Sequence, residues 1–596
     1  DVLIENNTAY GNNSGAIPIW IKPGSNYVPE KIHIIGNTIH QISTGVFAGI
    51  TLNSLGSITG TPRNIEIRNN EIITEALGIE VQKSSELMIT DNIIHTDEYC
   101  INVLNQTDGN LTVSSNTLSS EGANCILIEG SNDGTGLVIP TISENTIEGA
   151  DGHGIYVSNL PTVEVSRNTI SKTENNAIYV YHSKNAQIHH NTISEASDFG
   201  IRLYMSPDSI LNSNIISEAG EDAIYSSYSD NSIIEKNIVE RCNDDGIAFG
   251  FFENNITVVS NTVTDIHDWA LFTYSGLDCH VEGNVLRQAQ YGVYISSTAS
   301  DLTFTNNLIE SMSLYGFYTV LTVNTGFSIF QNTFLKNNIG LYIQGDDNSI
   351  FNNSFIENDL AIQFTADSGD SVIYFNDFVD NLIQVVDAGT NNQWYYEITG
   401  KDFGNYWSDY TGMDANNDGI GDTPYNITND GSIQDIAPLV KAGSLDAPSI
   451  SHPADILMLT GTSGVVITWN ATTMAPHRYT IAIDGSTVTT NPFWDGSLIT
   501  YTVSSDLAEG NHTITCNITD SLGRTAVDEV QVRVLPPSAI NPPTPEATTI
   551  PTATGSESSH TLTGLDLTST LIGAIGGIVI IGALFLVTKV IRRGKL

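Results

Sequence analysis

The chain has 596 residues, and its 22 Lys and Arg residues against 67 Asp and Glu residues give a formal net charge of −45 at pH 7. This excess of negative charge repels the phosphates of nucleic acids and anionic lipids, so nucleic acid is not an expected partner. Five cysteines in the whole chain are too sparse for a disulfide framework.

A repeat of about 23 residues occupies most of residues 1–400. Each repeat carries an asparagine followed, two residues later, by an apolar residue, and a small residue then precedes an apolar one, as at Gly154-Ile155. Short segments alternate apolar and polar residues, which is the period of a β-strand. The repeat therefore predicts a parallel β-helix with one coil per repeat, in which the asparagines stack in a hydrogen-bonded ladder. The repeated asparagines are Asn37, Asn70, Asn92, Asn116, Asn145, Asn168, Asn191, Asn214, Asn237, Asn261, Asn284, Asn307, Asn332, Asn353 and Asn376.

Two further modules follow the repeats. Residues 401–445 are rich in Asp, Asn and Gly and are expected to cap the β-helix. Residues 446–535 contain strand-like runs separated by turn residues, which predicts an immunoglobulin-like β-sandwich. We expect this β-sandwich to act as a spacer, with ligand binding as the alternative.

The last segments predict a membrane anchor. Residues 536–568 are rich in Pro, Thr and Ser, which is typical of a disordered linker. Residues 569–590 are apolar and long enough for a transmembrane helix, and the basic tail 591–596 is expected in the cytoplasm. The remainder would then lie outside the cell, and because no signal peptide is visible we expect a processed or truncated N-terminus.

The repeats resemble a known family. The 23-residue Asn/Gly repeat is similar to the right-handed parallel β-helix repeats of pectate-lyase-like proteins, and more closely to the NosD-like group. The sequence GNYWSDYTGMDANNDGIGDTPYNI at 404–427 resembles the segment that closes the helix in archaeal NosD-like surface proteins. Over residues 1–440 this resemblance implies a right-handed β-helix at a cell surface and leaves the activity open, because the repeat occurs in lyases, hydrolases, epimerases and non-enzymes. The copper role associated with NosD is not carried over, because the 13 His and 6 Met residues are scattered.

The predicted cap contains a candidate calcium loop. Its spacing, D-x-N-x-D-G-x-x-D, supplies oxygen ligands at the first, third, fifth, seventh and ninth positions, which suits a structural Ca²⁺ ion. Tyr425 stands where such loops usually carry a bidentate Glu. The alternative is an Asx-rich turn that binds no ion. The candidate ligands are Asp414, Asn416, Asp418, the Ile420 carbonyl and Asp422.

Alignment of the repeats on their asparagines places acidic residues beside an aromatic stripe. At the repeat of Asp244, the outward positions hold Ala248 and Gly250, which predicts a notch between flanking aromatic residues. The candidate catalytic residues are Asp198, Arg202, Asp222, Asp244, Asp245 and Asp268, and His153 shares their columns. The candidate glycan-binding residues are Tyr179, Tyr181, Tyr204, Tyr225, Phe272 and Tyr274.

Three interpretations of this face remain open. Stacked repeats produce columns by themselves, because Asp favours turns and Tyr favours strands. Aromatic rings also offer platforms to sugar rings, while carboxylates bind hydroxyls or a cation. Finally, paired carboxylates can act as the acid and base of glycosidic cleavage.

The favoured function is that of a membrane-anchored cell-surface protein in adhesion, glycan binding or cell-envelope structure. The alternative is a surface polysaccharide lyase, hydrolase or epimerase. Convergence of two carboxyl groups in a groove, one with a strongly raised pKa, would favour the enzyme.

Cys100 and Cys125 occupy equivalent positions in successive repeats. Adjacent coils lie about 4.8 Å apart, a separation that permits a disulfide. The sequence leaves open whether the two residues form a disulfide or remain buried thiols.

Overall fold

The computed structural model describes residues up to 536, with gaps. The described residues are 1–11, 19–21, 30–41, 48–53, 62–106, 109–130, 139–274, 277–296, 300–320, 326–398, 400–416, 418–443, 448–473, 476–492, 494, 496–520 and 524–536. The predicted membrane helix and tail, and the linker from residue 537 onward, lie outside this set. Within it, no helix is long and apolar enough to cross a membrane.

Three long parallel sheets, here called A, B and C, surround one hydrophobic core. Sheet A has 16 strands: Val2–Glu5, Ile32–Ile35, Arg63–Arg68, Ser85–Thr90, Asn110–Ser114, Ile139–Ser143, Val163–Ser166, Ala186–His189, Ile210–Asn212, Ile233–Glu235, Thr257–Val259, His280–Glu282, Thr303–Thr305, Ser328–Phe330, Ser349–Phe351 and Val372–Tyr374. Sheet B contains the strands Thr8–Gly11, Thr38–Gln41, Glu71–Thr74, Ile93–Thr96, Thr117–Ser120, Thr146–Ala150, Thr169–Thr173, Thr192–Ala196, Ile215–Ser217, Ile238–Glu240, Thr262–Thr264, Val285–Arg287, Leu308–Glu310, Thr333–Leu335, Ser354–Ile356, Asp377–Val379 and Tyr406–Trp407. Sheet C has 16 strands: Ile19–Ile21, Ile50–Asn53, Ile79–Gln82, Ile101–Gln106, Ile126–Gly130, Ile155–Ser158, Ile178–Tyr181, Ile201–Tyr204, Ile224–Ser227, Ile247–Phe251, Trp269–Thr273, Tyr291–Ile295, Tyr315–Thr319, Ile339–Asp346, Leu360–Gly369 and Ile383–Asp387.

Each coil contributes one strand to sheets A, B and C in that order, and successive coils pair in parallel. Alternate residues point inward, so Val165, Ile170 and Ile178 are fully buried with their equivalents in other coils. The repeat has a small residue before each sheet C strand for a steric reason. A Cβ atom on Gly154 would lie 2.6 Å from the Ala177 carbonyl oxygen of the next coil. These features confirm the predicted parallel β-helix.

We name the corners by the sheets that they join: AB, BC and CA. At corner AB a residue of left-handed conformation, such as Arg167 (φ 55°), precedes the repeated asparagine. The backbone N–H and Nδ2–H of Asn168 donate to Oδ1 of Asn191, both at 3.0 Å. Because every asparagine along corner AB bonds its neighbour in this way, the predicted ladder is confirmed. It also includes Asn7 and Asn405, which the alignment did not find.

The asparagine ladder ends on a buried carboxylate. Asp435 Oδ2 accepts the Asn405 N–H at 2.7 Å and the Trp407 Nε1–H at 2.9 Å. Burial raises the pKa of Asp435 to about 6. The hairpins Tyr396–Ile398 with Lys401–Phe403 and Tyr425–Asn426 with Gln434–Asp435 belong to this closing segment. Because the parallel strand Tyr406–Trp407 also lies in it, the predicted cap includes the last strand of the β-helix.

Residues 449–535 form sheets that are antiparallel except for the parallel pair Ile456–Leu459 with Thr525–Leu535, and they have a separate core around Trp469 and Cys516. Their immunoglobulin-like identity stays a prediction. The strands are Ser449–Ile450, Ile456–Leu459, Val466–Trp469, Ala471–Thr472, Pro476–Ile483, Ser486–Asn491, Ile499–Thr502, Gly510–Asp520 and Thr525–Leu535.

All five cysteines are free and buried. Cys100 and Cys125 therefore stack as thiols in successive coils rather than as a disulfide. The Cys100 thiol donates to the Ser119 carbonyl at 3.1 Å. Contact with Cys100, together with burial, raises the pKa of Cys125 well above its usual value.

Candidate functional site

Three carboxyl groups converge at corner BC. Asp222, Asp244 and Asp245 each place a carboxylate oxygen within 4.8 Å of the others. Asp222 Oδ1 accepts the backbone N–H of Asp245 at 3.1 Å, and Asp245 Oδ1 accepts that of Trp269 at 3.2 Å. We call these three residues the acidic triad. Among the residues that the structure describes, they are the only group of three or more His, Cys, Asp or Glu side chains with ligand atoms this close.

The members of the triad differ in burial, and burial shifts the pKa values of two of them. Asp222 is 5% exposed and Asp245 is 4% exposed, whereas Asp244 is partly exposed. Burial raises the pKa of Asp222 to about 7. It raises the pKa of Asp245 to about 9, with repulsion from Asp222 and Asp244 adding to the effect. Asp245 is therefore protonated near neutral pH, although an ordinary Asp is ionised there.

Two grooves run along corner BC beside the triad. One, of about 620 Å³, extends from Arg241 and Asn243 past His267 to Ser313. The other, of about 390 Å³, continues from Asn243 back to Lys172. Because both grooves are lined by Asn243, the residue before Asp244, the corner offers an elongated depression parallel to the helix axis.

Two clusters of aromatic residues lie on sheet C and its corners, one on each side of the triad along the axis. Tyr225 belongs to the first cluster and Phe272 to the second, with Ala248 between them in the sheet register. The N-terminal aromatic cluster is His153, Tyr156, Tyr179, Tyr181, Phe199, Tyr204, Tyr225, Tyr228 and Phe252. The C-terminal aromatic cluster is Trp269, Phe272, Tyr291, Tyr294, Tyr315, Tyr318 and Tyr342.

The N-terminal aromatic cluster presents a strip of exposed rings, one per coil. Tyr181 stacks on Tyr204 at 5.8 Å between ring centroids, and Tyr228 packs edge-on against Tyr204 at 5.5 Å. Phe252 then stacks on Tyr228 at 5.0 Å. Tyr228 is 42% exposed and Phe252 is 65% exposed. Flat apolar rings of this kind suit the faces of sugar rings.

The predicted aromatic residues divide between the clusters. Tyr179, Tyr181, Tyr204 and Tyr225 come together in the N-terminal cluster, as the alignment suggested. Phe272 is 8% exposed because Trp269 and Tyr294 stack on it, so it offers no free face. Tyr274 is 43% exposed.

The predicted notch is wrong. Ala248 stays in register between Tyr225 and Phe272 and is only 1% exposed. Gly250 is also buried, and a bulge in this strand pairs Ser227 with Phe251 rather than with Gly250. The N–H of Gly250 donates to the buried carboxylate of Glu253 at 2.8 Å. The coil is therefore closed at this point.

The remaining predicted catalytic residues lie around the triad rather than in it. Asp198 and Asp268 are partly exposed on neighbouring coils of corner BC. Burial and the charge of Asp244 raise the pKa of Asp268. Arg202 lies in sheet C among aromatic rings and forms no ion pair with a described carboxylate within 4 Å.

The alignment missed several members of the site. Phe199, Trp269, Tyr291 and Tyr315 all stand directly before the small residue of their coils, in the column of Asp222 and Asp245. Aligning that column for aromatic as well as acidic residues would have found them. Tyr228 and Phe252 lie at corner CA with left-handed backbones (φ 54° and 57°), and nothing in their sequence marks that conformation.

The candidate calcium loop is held by hydrogen bonds of its own. Asp414 accepts the N–H groups of Asp418 and Gly419 at 3.1 and 2.9 Å. The Lys401 ammonium lies 3.2 Å from Asp418 Oδ2. Asp422 accepts the N–H of Ala415 at 2.8 Å. The carboxylates of this loop therefore have partners within the protein, and calcium binding stays a prediction that a Ca²⁺ titration of thermal unfolding would test.

Two families match parts of the chain. The family described as "Right handed beta helix region" matches residues 1–139 and 124–286. The family described as "Periplasmic copper-binding protein (NosD)" matches residues 245–412. With the parallel sheets, these matches support a right-handed β-helix repeat over residues 1–412, with a NosD-like segment at 245–412.

Among curated proteins, the "Probable ABC transporter binding protein NosD" of Stutzerimonas stutzeri is 47% identical over 64 residues. That match covers 11% of this chain and 14% of the relative. The chain therefore spans about one seventh of that relative's length.

Solved β-helix structures are similar at low sequence identity. The Dettilon tailspike protein has a TM-score of 0.37 at 11% identity, covering 73% of this chain and 72% of the tailspike. A GH87 alpha-1,3-glucanase of Streptomyces thermodiastaticus has a TM-score of 0.33 at 11% identity, covering 59% and 63%. The periplasmic alginate epimerase AlgG has a TM-score of 0.30 at 14% identity, covering 54% and 76%.

The residues in the NosD-matched segment do not fit a copper ion. Cys279 and Met312 are each 2% exposed within the core, and His280 pairs with Glu282 at 2.9 Å. Copper sites use converging imidazole, thiolate or thioether ligands. Where three potential ligands do converge, in the acidic triad, all are carboxylates, which suit hard cations instead.

Proposed function

We propose that the chain is a glycan-binding β-helix protein of the cell exterior, and that its polysaccharide lies along sheet C and corner BC, parallel to the helix axis. The observation that carries this proposal is the arrangement of two aromatic clusters with the acidic triad between them. Membrane anchoring by residues 569–590 and a role in adhesion or the cell envelope belong to the same proposal.

The repeat gives the binding face its periodicity. Successive coils lie about 4.8 Å apart, so the ladder Tyr181, Tyr204, Tyr228 and Phe252 offers one ring per coil step. A linear glycan presents sugar faces at a comparable spacing, and each stacked ring removes apolar surface from water. The carboxyl groups beside the rings supply hydrogen-bond partners for hydroxyl groups.

A panel of immobilised polysaccharides tests the proposal with the full chain and the variant Tyr181→Ala/Tyr204→Ala. We expect this variant to weaken binding by about tenfold or more, because two stacking faces are lost. The matched control is Tyr396→Ala, since Tyr396 is 45% exposed and stacks on Tyr374 at 4.9 Å on the other side of the molecule. Equal binding by both variants, or binding of no polysaccharide by the wild type, would contradict the proposal.

Cleavage of the bound polysaccharide is the second candidate function. The observation that favours it is the pairing of a protonated acid, Asp245, with a partly exposed carboxylate, Asp244, within 4.8 Å. Glycosidases need one protonated and one ionised carboxyl group near the scissile bond. Separations of about 5–5.5 Å are typical of retaining enzymes, whereas inverting enzymes leave about 6.5–9.5 Å for a water molecule.

In this candidate, Asp245 would protonate the departing oxygen and Asp244 would act as nucleophile, with Asp222 keeping Asp245 protonated. The test measures reducing ends released from each polysaccharide that the chain binds. We expect Asp244→Asn and Asp245→Asn each to lower the rate by at least about a hundredfold, and Asp278→Asn, an exposed residue of corner CA outside both grooves, to leave it unchanged. Binding without release by the wild type would leave the protein a lectin-like binder.

A further inference from the structure

Arg202 is held in a cage of aromatic rings without a counter-charge. Its guanidinium carbon lies 5.0 Å from the ring centroid of Tyr179, 5.2 Å from that of Phe199 and 5.6 Å from that of Tyr225. Tyr204 is the fourth neighbour, at 6.0 Å. Aromatic faces attract a cation but do not neutralise it, because they carry no net charge.

The lack of a carboxylate partner is unusual for a partly buried arginine of this chain, since the other described arginines without an ion pair, Arg63, Arg167, Arg478 and Arg533, are all exposed. Acidic residues outnumber basic ones by 67 to 22, and Arg68, Arg241, Arg287 and Arg524 each pair with a carboxylate. Arg202 has no ion pair with a described carboxylate within 4 Å, and its Nε is buried without a hydrogen-bond partner. A guanidinium group offers five N–H donors.

The aromatic and imidazole groups around Arg202 supply no negative charge. His153 is neutral, because burial and the nearby Arg202 charge lower its pKa to about 4. Its Nδ1 accepts the backbone N–H of Asn176 at 3.2 Å, so the ring proton is on Nε2. Burial raises the pKa of Tyr179 and Tyr225, whose hydroxyl groups stay protonated.

We propose that Arg202 is an anion-binding residue, and that the glycan carries a carboxylate or sulfate group where it crosses the N-terminal aromatic cluster. The planar guanidinium pairs two N–H groups with two oxygen atoms of such an anion. The surrounding rings fix its plane, so little side-chain entropy is lost on binding. This inference rests on the proposed glycan-binding function and adds the charge of the ligand to it.

Three single sugars test the inference by saturation-transfer NMR on the full chain: glucose, glucuronate and glucose 6-sulfate. All three offer the same ring to the aromatic strip, and only the last two carry an anion. We expect the charged sugars to bind about tenfold or more tightly than glucose at constant ionic strength. The comparison between glucuronate and glucose 6-sulfate identifies which anion the site prefers.

The variant Arg202→Gln should reduce this preference to about twofold or less, while Arg202→Lys, which keeps the charge but not the planar fork, should retain part of it. Arg68→Gln is the control, since Arg68 lies on sheet A, away from the proposed glycan face, and is already paired with Glu66. If Arg202→Gln is poorly folded by circular dichroism, Arg202→Lys and the wild type still decide the outcome.

The outcomes separate the two proposals. Suppose that glucose binds as tightly as the charged sugars and that Tyr181→Ala weakens the binding of all three. The proposed glycan-binding face is then supported and the anion site is refuted. An undiminished preference in Arg202→Gln also refutes the site. If none of the three sugars gives a transfer signal, both the anion site and the platform for single sugar rings are refuted.

Discussion

Corner AB repeats asparagine along the whole β-helix, whereas corner BC changes the residue that has the same structural task. In both corners a side chain accepts a backbone N–H of the neighbouring coil. At corner AB the acceptor is an amide, as in Asn191. Around the candidate site, the acceptor at corner BC is the imidazole of His153 or the carboxyl group of Asp222 or Asp245. In the C-terminal coils, corner BC carries an asparagine ladder of its own, Asn337, Asn358 and Asn381.

This difference shows which corner of the β-helix can carry functional residues without loss of folding. An amide donates and accepts at once, so each asparagine satisfies the coils on both sides and any replacement breaks two contacts. An imidazole or carboxylate at corner BC satisfies one N–H and leaves its second polar atom free for a neighbour. Corner AB is therefore fixed by folding, and corner BC can acquire charge, aromatic rings and perturbed pKa values.

The largest expected effect comes from breaking the ladder. Asn191→Leu removes the acceptor of the Asn168 N–H and Nδ2–H groups, and also the donor to the Val165 carbonyl. We expect a loss of about 3–5 kcal/mol in the free energy of unfolding, measured by urea denaturation, because several buried polar groups lose their partners.

Asn243→Leu is the matched control for this variant, because Asn243 is an exposed asparagine of corner BC outside any ladder. It should change the free energy of unfolding by no more than about 0.5 kcal/mol. A loss below about 1 kcal/mol for Asn191→Leu would show that water or local relaxation replaces the ladder bonds.

The next effect is a pH dependence that comes from the acidic triad of corner BC. The asparagines of corner AB do not titrate. Burial raises the pKa of Asp222 to about 7 and of Asp245 to about 9, against about 3.9 for Asp in an unfolded chain. Between these values the folded state binds more protons than the unfolded state, so lowering the pH stabilises the fold. We expect the urea midpoint to rise as the pH falls from 9 to 5. Buried Glu253, with a pKa of about 7, contributes in the same direction. So does Asp435 at the end of the asparagine ladder, with a pKa of about 6.

The double variant Asp222→Asn/Asp245→Asn should flatten this slope and be more stable than the wild type at pH 9. Removing two charges from a very acidic chain also reduces general repulsion. The control is therefore Asp265→Asn/Asp278→Asn, which removes two exposed charges from the same region. A flattened slope in both double variants would assign the effect to net charge rather than to the triad.

The sequence predicts the β-helix because the repeat makes each structural cause visible many times. The asparagine spacing, the small residue before sheet C and the alternation of apolar residues all confirm one another. The site is only partly predictable, because the alignment reveals only those features that recur in several coils. Asp222, Asp244 and Asp245 share columns that alignment reveals. The bulge at Gly250 is a single departure from the repeat, so comparison with the neighbouring coils does not predict it.

Whether two carboxyl groups are buried together is also beyond alignment. Asp198 and Asp222 lie on neighbouring coils of the same corner, yet Asp222 is 5% exposed and Asp198 is partly exposed. Their difference depends on side-chain packing around each coil, such as that of Phe199 and Trp269. The one-position offset between the two acidic columns decides which carboxyl group faces the interior.

The smallest effect concerns corner CA, where strain and stacking oppose each other. Phe252 has a left-handed backbone, φ 57°, which is unfavourable by about 1–2 kcal/mol for a residue with a side chain. Its stack on Tyr228 recovers about 0.5–1.5 kcal/mol. Phe252→Gly relieves the strain, loses the stack and gives the unfolded chain more freedom, so we expect the free energy of unfolding to change by no more than about 1 kcal/mol.

Phe252→Ala separates the backbone strain from the loss of the ring stack, because it loses the same ring but keeps a Cβ atom in the left-handed conformation. It should be less stable than Phe252→Gly by roughly 1 kcal/mol in urea denaturation. Equal stability of the two variants would mean that the backbone at residue 252 relaxes once the ring is gone. The left-handed conformation would then be a consequence of the Tyr228 stack. If Phe252→Ala is less stable than Phe252→Gly, the coil itself imposes the left-handed conformation. The exposed ring at residue 252 is then retained for a purpose other than folding.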